Sequence, residues 1–294
     1  MSLRIATRSS RLARVQAELV GRALTDSAAA GFELVPVETA GERGDKERFV
    51  RGVERELIDG RAEAAVHSAK DLPGTMTPGL AIAAVPARED ARDAWLGPGG
   101  SLAEIPAGAR VGTSSLRRRS QLLAARPDLV PVEFGGNVDT RIGKLARGEV
   151  DGIVLAMAGL KRLGLEHEVA FLFPLEQMTP AAGQGALVVQ ARAPGGVAAL
   201  FRPVNDEESE RQLTAERAAV AALGADCSSP VGVHAHDLGD RLVIEGFAGL
   251  PNGSKWVRDR IEGDRANPEE LGRELARRME LAGAAAILAA ASTL

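Results

Sequence analysis

Short apolar runs and stretches of helical period alternate along most of this chain. Apolar runs at residues 3–6, 32–37, 64–67 and 80–85 predict strands. Between them, residues 11–24 carry Leu12, Val15, Leu19 and Val20 on one helical face, and residues 49–58 form a second helical stretch that Asp59-Gly60 ends. The pattern continues with a strand leading into Val111, a helix over 116–126, a strand over 130–134, a helix over 140–146 and strands over 152–156 and 186–191. Strands alternating with helices predict α/β lobes with mainly parallel sheets and right-handed crossovers. After Asn205 the character changes. A helix over 209–223 precedes strands at 231–236, 242–248 and 254–262, joined by turns at Gly239-Asp240 and Asn252-Gly253. A helix over 268–281 follows, framed by Asn267 as cap, Pro268 at its first position and Gly283 beyond its end. Helices with an antiparallel meander make a small α+β domain.

Two polar segments divide the α/β part. Residues 86–93 read as a crossover linker, and the small-residue stretch 180–185 reads as a return hinge that brings 186–191 back to the first lobe. The expected domains are therefore 1–85 with 186–203, then 94–180, then 207–294. The two lobes also repeat each other. I-A-T-R-S-S-R-L from Ile5 and V-G-T-S-S-L-R-R from Val111 both place Thr, Ser and Arg between a strand and a helix start. Two lobes of one design, presenting anion sites toward each other, are expected.

Composition narrows the function classes. The 294 residues carry a net charge of -4, which gives no overall reason to expect nucleic acid or an anionic membrane as partner. No run reaches the roughly 18 apolar residues of a membrane span, and the N-terminus shows no apolar signal core, so a cytoplasmic protein is expected. Thirty-one of the 36 basic residues are Arg, so position rather than number must carry any argument from arginine. The one cysteine, Cys227, excludes an internal disulfide. His234 and His236 share a face of a predicted strand with no third ligand evident, so they are read as surface residues and no metal site is expected.

Three places carry candidate chemistry. Thr113, Ser114 and Ser115 stand where a helix leaves backbone N–H groups unpaired, and any of them can cap it. Arg117, Arg118 and Arg119 then occupy the first turn, where the helix dipole disfavours cations, so something negative is expected beside them. Successive residues point about 100° apart, so at most two of the three can serve one ligand; Arg117 and Arg118 are chosen. A carboxylate or phosphate fits that place, and a solvated basic face is the other reading. Lys70 and Asp71 follow the strand 64–67 and should stand at its carboxyl end, the ligand edge of open α/β sheets; Asp71 also suits a plain turn former. Cys227 lies in a polar loop punctuated by Pro230. It is either buried filler or an exposed thiol, and exposure favours use as a nucleophile.

Taken together these segments resemble the porphobilinogen deaminase (hydroxymethylbilane synthase) family along the whole chain. The resemblance is carried by R-I-A-T-R-S-S from Arg4, H-S-A-K-D-L-P from His67, V-G-T-S-S-L-R-R from Val111, G-N-V-D-T-R from Gly136, L-A-M-A-G-L-K-R-L-G from Leu155, G-Q-G-A from Gly183 and the loop of Cys227. It implies two lobes like those of type II periplasmic binding proteins plus a small C-terminal domain whose cysteine holds a dipyrromethane cofactor by a thioether. It also implies a monomeric enzyme that adds four porphobilinogens to that primer, each losing ammonia, and then hydrolyses the tetrapyrrole away.

By the same resemblance Asp71 is the catalytic carboxylate. Lys70, Asp71, Thr113, Ser114, Ser115, Arg117, Arg118 and Arg141 bind the cofactor, and Arg8, Ser10 and Arg162 the substrate. Every pyrrole carries an acetate and a propionate, so a growing polyanion needs many guanidinium groups, each charge-assisted bond contributing about 1.5–3 kcal/mol. The chain departs from the family at Gly135, where an arginine is usual, at Asp139, where a small residue is usual, and in its short 40–48 segment. Those departures motivate an alternative, a non-catalytic two-lobed anion-binding module. Without that arginine at least one carboxylate of the cofactor or chain is expected to lack a partner, and elongation to be slow, unless Arg43, Arg48 or Arg51 reaches in.

Overall fold

The computed structural model describes residues 2–28, 31–38, 46–226 and 228–293, with only the backbone of 28 and 46–49. Cys227, Arg43 and most of the 40–48 segment thus lie outside the described residues. In chain order the first elements are β1 (Ser2–Arg8), α1 (Arg11–Ala28), β2 (Gly31–Val37), α2 (Lys46–Ile58), β3 (Ala64–Ser68) and β4 (Leu80–Ala84). There follow β5 (Asp93–Leu96), β6 (Arg110–Gly112), α3 (Leu116–Ala125), β7 (Val130–Val132), α4 (Val138–Ala146), β8 (Gly152–Ala156), α5 (Met157–Leu163) and β9 (Phe171–Leu172). The last are β10 (Leu187–Arg192), α6 (Val197–Leu200), α7 (Glu207–Ala222), β11 (Val231–Leu238), β12 (Arg241–Gly249), β13 (Trp256–Asp264), α8 (Pro268–Leu281) and α9 (Ala284–Ala291).

The chain forms two compact units, Met1–Glu89 with Gly185–Arg211 and Asp90–Gln184 with Gln212–Leu294. The first unit holds a five-stranded sheet of order β2-β1-β3-β10-β4. β1 is parallel to β2 and β3, and β10 is antiparallel to both β3 and β4, so four of the five strands run one way. The second unit holds a sheet of order β7-β6-β8-β5-β9, again with one reversed strand, β5, in fourth place. In each sheet the reversed strand is the one the chain enters after building the other sheet's strands. β1 and β3 are buried along most of their length, as parallel strands covered on both faces must be. Leu3, Ile5, Val20, Leu24, Val189 and Phe201 form a core of the first unit, and Trp95, Val111, Leu122, Val154 and Phe173 one of the second. Full burial of such side chains stabilises by roughly 1.5–3 kcal/mol apiece.

The second unit also contains the antiparallel sheet β11-β12-β13, with α8 laid against it through Leu275 and Met279. This sheet is fastened to the α/β part of its own unit at several points. Val233 N–H donates to the Pro180 carbonyl at 2.8 Å, and Arg258 donates to Gln121 of α3 at 3.1 Å. A side chain at Gly253, whose φ is +72°, would collide with Leu123 and Ala124, so the turn both needs and exploits a bare backbone. Glu216 of α7 is fully buried and accepts N–H groups from Gly183 at 2.6 Å and Ala235 at 2.7 Å.

Several expectations change here. His234 is buried rather than on the surface, with Nδ1 3.4 Å from Glu216 and its ring stacked on half-buried His236. β7 stops at Val132 because the Phe134 N–H leaves the ladder to donate to Ser114 Oγ at 3.2 Å. Gly283 ends α8 with φ +102°, but the alanine-rich stretch beyond it resumes as α9. That helix follows from intrinsic propensity, which an apolar-periodicity reading does not register. Asn267 precedes α8 without a side-chain capping bond.

Candidate active site

The parallel strands of each sheet bring the candidate residues to their carboxyl ends. In the first unit β1 and β3 are neighbours with Ile5 opposite Ala64 and Ala6 opposite Ala65. Arg8, the last residue of β1, and Ser10 just beyond it therefore stand along the same edge as Lys70 and Asp71, which follow β3. Ser10 Oγ accepts the Ala13 N–H at 3.4 Å at the start of α1. Lys70 and Asp71 sit in one 3-10 turn, Ala69–Asp71, and both are half-buried. That turn is fixed by its backbone, with Ala69 N–H donating to Ala186 O at 3.0 Å and Leu72 N–H to Ala69 O at 3.2 Å. Arg8 and Asp71 both act electrostatically on His67, the buried residue between them in the fold.

In the second unit β6, β7 and β8 end at one edge, and β5, running the other way, begins there with Asp93 opposite Ala156. The hydroxyls after β6 divide their work. Thr113 Oγ1 accepts the Ser115 N–H at 3.2 Å, Ser114 Oγ accepts from Phe134, and Ser115 Oγ caps α3 by accepting the Arg118 N–H at 3.4 Å. Of the three candidates only Ser115 is the cap.

The anion demanded by the arginines is part of the protein. Arg117 Nη1 donates to Asp93 Oδ2 at 2.7 Å and to Thr179 O at 2.8 Å. Arg118 donates to Asp93 Oδ1 through Nη2 at 2.6 Å and Nε at 3.1 Å, and to Val154 O at 2.8 Å. Gln184 Nε2 adds a bond to Asp93 Oδ1 at 2.9 Å. Arg117, Arg118 and Asp93 are all buried, while Arg119, pointing elsewhere, is exposed. The choice of two arginines against one anion follows the geometry, but Asp93 was not foreseen. Its signal was present as an aspartate opening a strand that reads DAWL, within a segment taken for a linker. Burial opposes ionisation of Asp93, yet the two guanidinium groups outweigh it and hold the carboxyl well below the usual range.

Charge is not balanced around this cluster. Arg141, on α4, is held down to about 10 by burial and by the nearby Arg118 charge, with Glu133 acting the other way. Its Nε donates to the Gly136 carbonyl at 2.8 Å, and among the described residues no carboxylate forms an ion pair with it. Arg117 and Arg118 on one buried carboxylate, with Arg141 close enough to feel the Arg118 charge, make a positive region that suits an anionic group. Arg162, with Lys161, lies in the last turn of α5, a helix that ends at Gly164 with φ +70°. Sequence periodicity did not register this short helix. Gly135 lies outside the left-handed region, and a Cβ there meets nothing within 4 Å. Lys144 Nζ donates to its carbonyl at 3.2 Å and stands over the Phe134 ring. A cation, Lys144, is therefore present beside Gly135. Arg51 is exposed, and the side chains of Arg43 and Arg48 lie outside the described residues.

Beside Cys227, Asp226 Oδ1 accepts the N–H and hydroxyl of both Ser228 and Ser229 at 2.7–2.9 Å. Those four donors outweigh burial and lower its pKa.

Comparison with known proteins agrees with these motifs. Residues 3–196 match the family described as porphobilinogen deaminase, dipyromethane cofactor binding domain, and residues 211–280 match porphobilinogen deaminase, C-terminal domain. The chain is similar to porphobilinogen deaminase from Roseiflexus castenholzii, with 45% identity over 98% of this chain and 99% of that one. It is likewise similar to that of Thiobacillus denitrificans, with 41% identity over 98% of each. Among solved structures, a TRAP periplasmic solute binding protein from Desulfovibrio salexigens aligns with TM-score 0.43 and 14% identity over 71% of this chain and 74% of that one.

Asp93→Asn tests the buried cluster. It keeps the shape but leaves two buried guanidinium groups without their anion, and a loss of roughly 3–5 kcal/mol is expected. Asp93 has a depressed pKa in the folded state, so its contribution is full above the ordinary carboxylate range and is lost as pH falls below it. Thermal unfolding from pH 7 down to pH 2 should show an acid limb in the wild type that is reduced in Asp93→Asn. Equal midpoints for the two proteins at pH 7 would show that another group neutralises the arginines.

Proposed function

The chain belongs to the porphobilinogen deaminase family, and from that premise we propose how its residues carry the family's chemistry. It is a transferase of tetrapyrrole biosynthesis, a hydroxymethylbilane synthase that joins four porphobilinogens and releases the linear product by hydrolysis. The match along almost the whole chain carries this reading, and the non-catalytic alternative is not favoured. We assign residues 1–85 with 186–203, 94–180 and 207–294 to three domains; three separate sheets support the division. A cytoplasmic monomer is inferred, acting on a small molecule and on neither nucleic acid nor membrane.

A dipyrromethane on Cys227 would supply the pyrrole carbon to which the first incoming unit is joined, each later unit joining the one before it. The positive region around Arg141 fits such a polycarboxylate, with Arg117, Arg118, Thr113, Ser114, Ser115 and Lys70 completing its binding set. Arg117 and Arg118 already share Asp93, so their part is a rigid positive wall rather than a pair of free forks. Arg8, Ser10 and Arg162 are assigned to the acetate and propionate of porphobilinogen. Each addition breaks the aminomethyl C–N bond of a porphobilinogen, ammonia leaves with the electron pair, and the methylene carbon left behind is cationic. Asp71 lowers that barrier. A carboxylate fixed at the end of β3 interacts more strongly with the developing cation than with the neutral ring, which is the condition for acceleration.

The intact mass of protein purified from cells supplied with porphobilinogen tests the cofactor assignment. An adduct of two pyrrole units is expected and should vanish in Cys227→Ser; an unmodified wild-type mass would remove the cofactor. Asp71→Asn, nearly isosteric, should keep the fold and the adduct while slowing turnover roughly a hundredfold or more. Near wild-type turnover in that variant would reduce Asp71 to a turn residue. Gly135→Arg is sterically free and should raise turnover severalfold, with the ladder of enzyme-intermediate masses at limiting substrate fading. An unchanged rate would mean that Lys144 or another cation already serves.

A further inference from the structure

A buried hydrogen-bond chain in the first unit is coupled electrostatically to Asp71 through His67, and the chemistry above leaves it unused. Glu54 of α2, 2% exposed, accepts from Gln190 Nε2 through Oε1 at 2.7 Å and from the Thr77 hydroxyl through Oε2 at 2.7 Å. Gln190 of β10, fully buried, turns its Oε1 to His67 Nε2 at 3.1 Å. The orientation is fixed by chemistry. A carboxylate only accepts, so the amide nitrogen of Gln190 faces Glu54, its oxygen faces His67, and the Nε2 of His67 carries a proton.

The chain holds both ends of one segment. His67 is the penultimate residue of β3, Thr77 precedes β4, and Asp71 stands between them. The turn bearing Asp71 has no side-chain cap at Ser68, so its aim depends on how its flanks are held. Both flanks end on the same buried carboxylate, one directly and one through Gln190. The groups facing His67 are Glu54 from α2, Gln190 from β10, Asp71 from the turn and Arg8 from β1. Burial dominates and pushes the ring down to about 4, against the raising influence of Glu54, Gln190 and Asp71 and with the help of Arg8. A neutral imidazole next to Asp71 preserves the carboxylate's negative potential, which an imidazolium would cancel.

We propose that Glu54, Gln190, His67 and Thr77 form a positioning clamp that aims Asp71. The functional part rests on Asp71 being the catalytic carboxylate. In Gln190→Glu a second carboxylate would face both Glu54 and His67; the two carboxylates share a proton, and their remaining negative charge comes into contact with the imidazole. Its titration, followed by NMR of the labelled ring, should move up by roughly 1–3 units. Because the wild-type ring is depressed in the folded state, its contribution to stability is full above 6.5 and lost as pH falls toward about 4; in Gln190→Glu that slope should flatten.

The same variant should lose at least tenfold in kcat with KM within about twofold. Thr77→Val cuts the other end of the clamp at a half-buried, shape-conserving position and should lose roughly three- to tenfold in kcat. An unshifted His67 titration in Gln190→Glu would overturn the clamp. So would wild-type kcat in both variants when Asp71→Asn is inactive. An active Asp71→Asn would instead refute the role of Asp71, and the NMR titration would still decide the link between Gln190 and His67 on its own.

Discussion

Two guanidinium groups buried in one helical turn are untenable without an anion, and Asp93 is that anion. Its carboxylate takes donors from Arg117, Arg118 and Gln184, so three stretches of the second unit converge on two oxygen atoms. The remaining arginine donors go to backbone carbonyls, Thr179 and Val154, which satisfies groups that burial would otherwise leave costly. Removing charges of either sign breaks the arrangement, because each is desolvated at the expense of the others. The start of α3, the first residue of β5 and the return segment at 184 are held in register by this one cluster.

The two five-stranded sheets have the same strand order and the same reversed place, yet their carboxyl edges bear different charge. In the first unit that edge carries Asp71 beside Lys70 and Arg8, with a buried neutral histidine in its field. In the second it carries two guanidinium groups on one buried carboxylate, with Arg141 in their field, its proton loosened by burial and by Arg118 against the pull of Glu133. A fold can supply the positions, but the chemistry comes from what occupies them. The short likeness between the Thr-Ser-Arg segments after β1 and β6 marks equivalent places in the two sheets rather than equivalent tasks.

Much of this was legible because it rests on local signals. Strands with unbroken apolar runs, such as β8, and α8, with proline at its first position and acids in its first turn, were readable almost to the residue. α5 and α9 escaped because neither presents a polar face to define a period: α5 is mostly buried, and α9 is nearly all alanine. The candidate residues at strand ends were readable because a strand followed at once by a polar turn must place that turn at the sheet edge. Asp93, Glu54, Glu216 and Gln190 were not readable, since their meaning lies in partners between 19 and 136 residues away. His234 was misjudged for the same reason, because Glu216 belongs to another element.

A polyanionic product and a cationic step make opposite demands, and this chain answers them with different kinds of residue. Carboxylates in large number require diffuse, permanently charged donors, which arginine supplies over many positions without risk of deprotonation. The cationic carbon requires one anion, and any cation drawn too near would cancel it. Lys70 and Arg8 both lie along the strand ends that carry Asp71, so charge alone does not isolate the carboxylate; direction has to. Direction is a property of the backbone turn, and the turn inherits it from β3, from Ala186 and from the buried polar chain ending on Glu54. Under the role proposed for Asp71, the groups assigned to aim it are an amide, a hydroxyl and an imidazole anchored on one buried carboxylate, Glu54, and the first two fix geometry without adding charge.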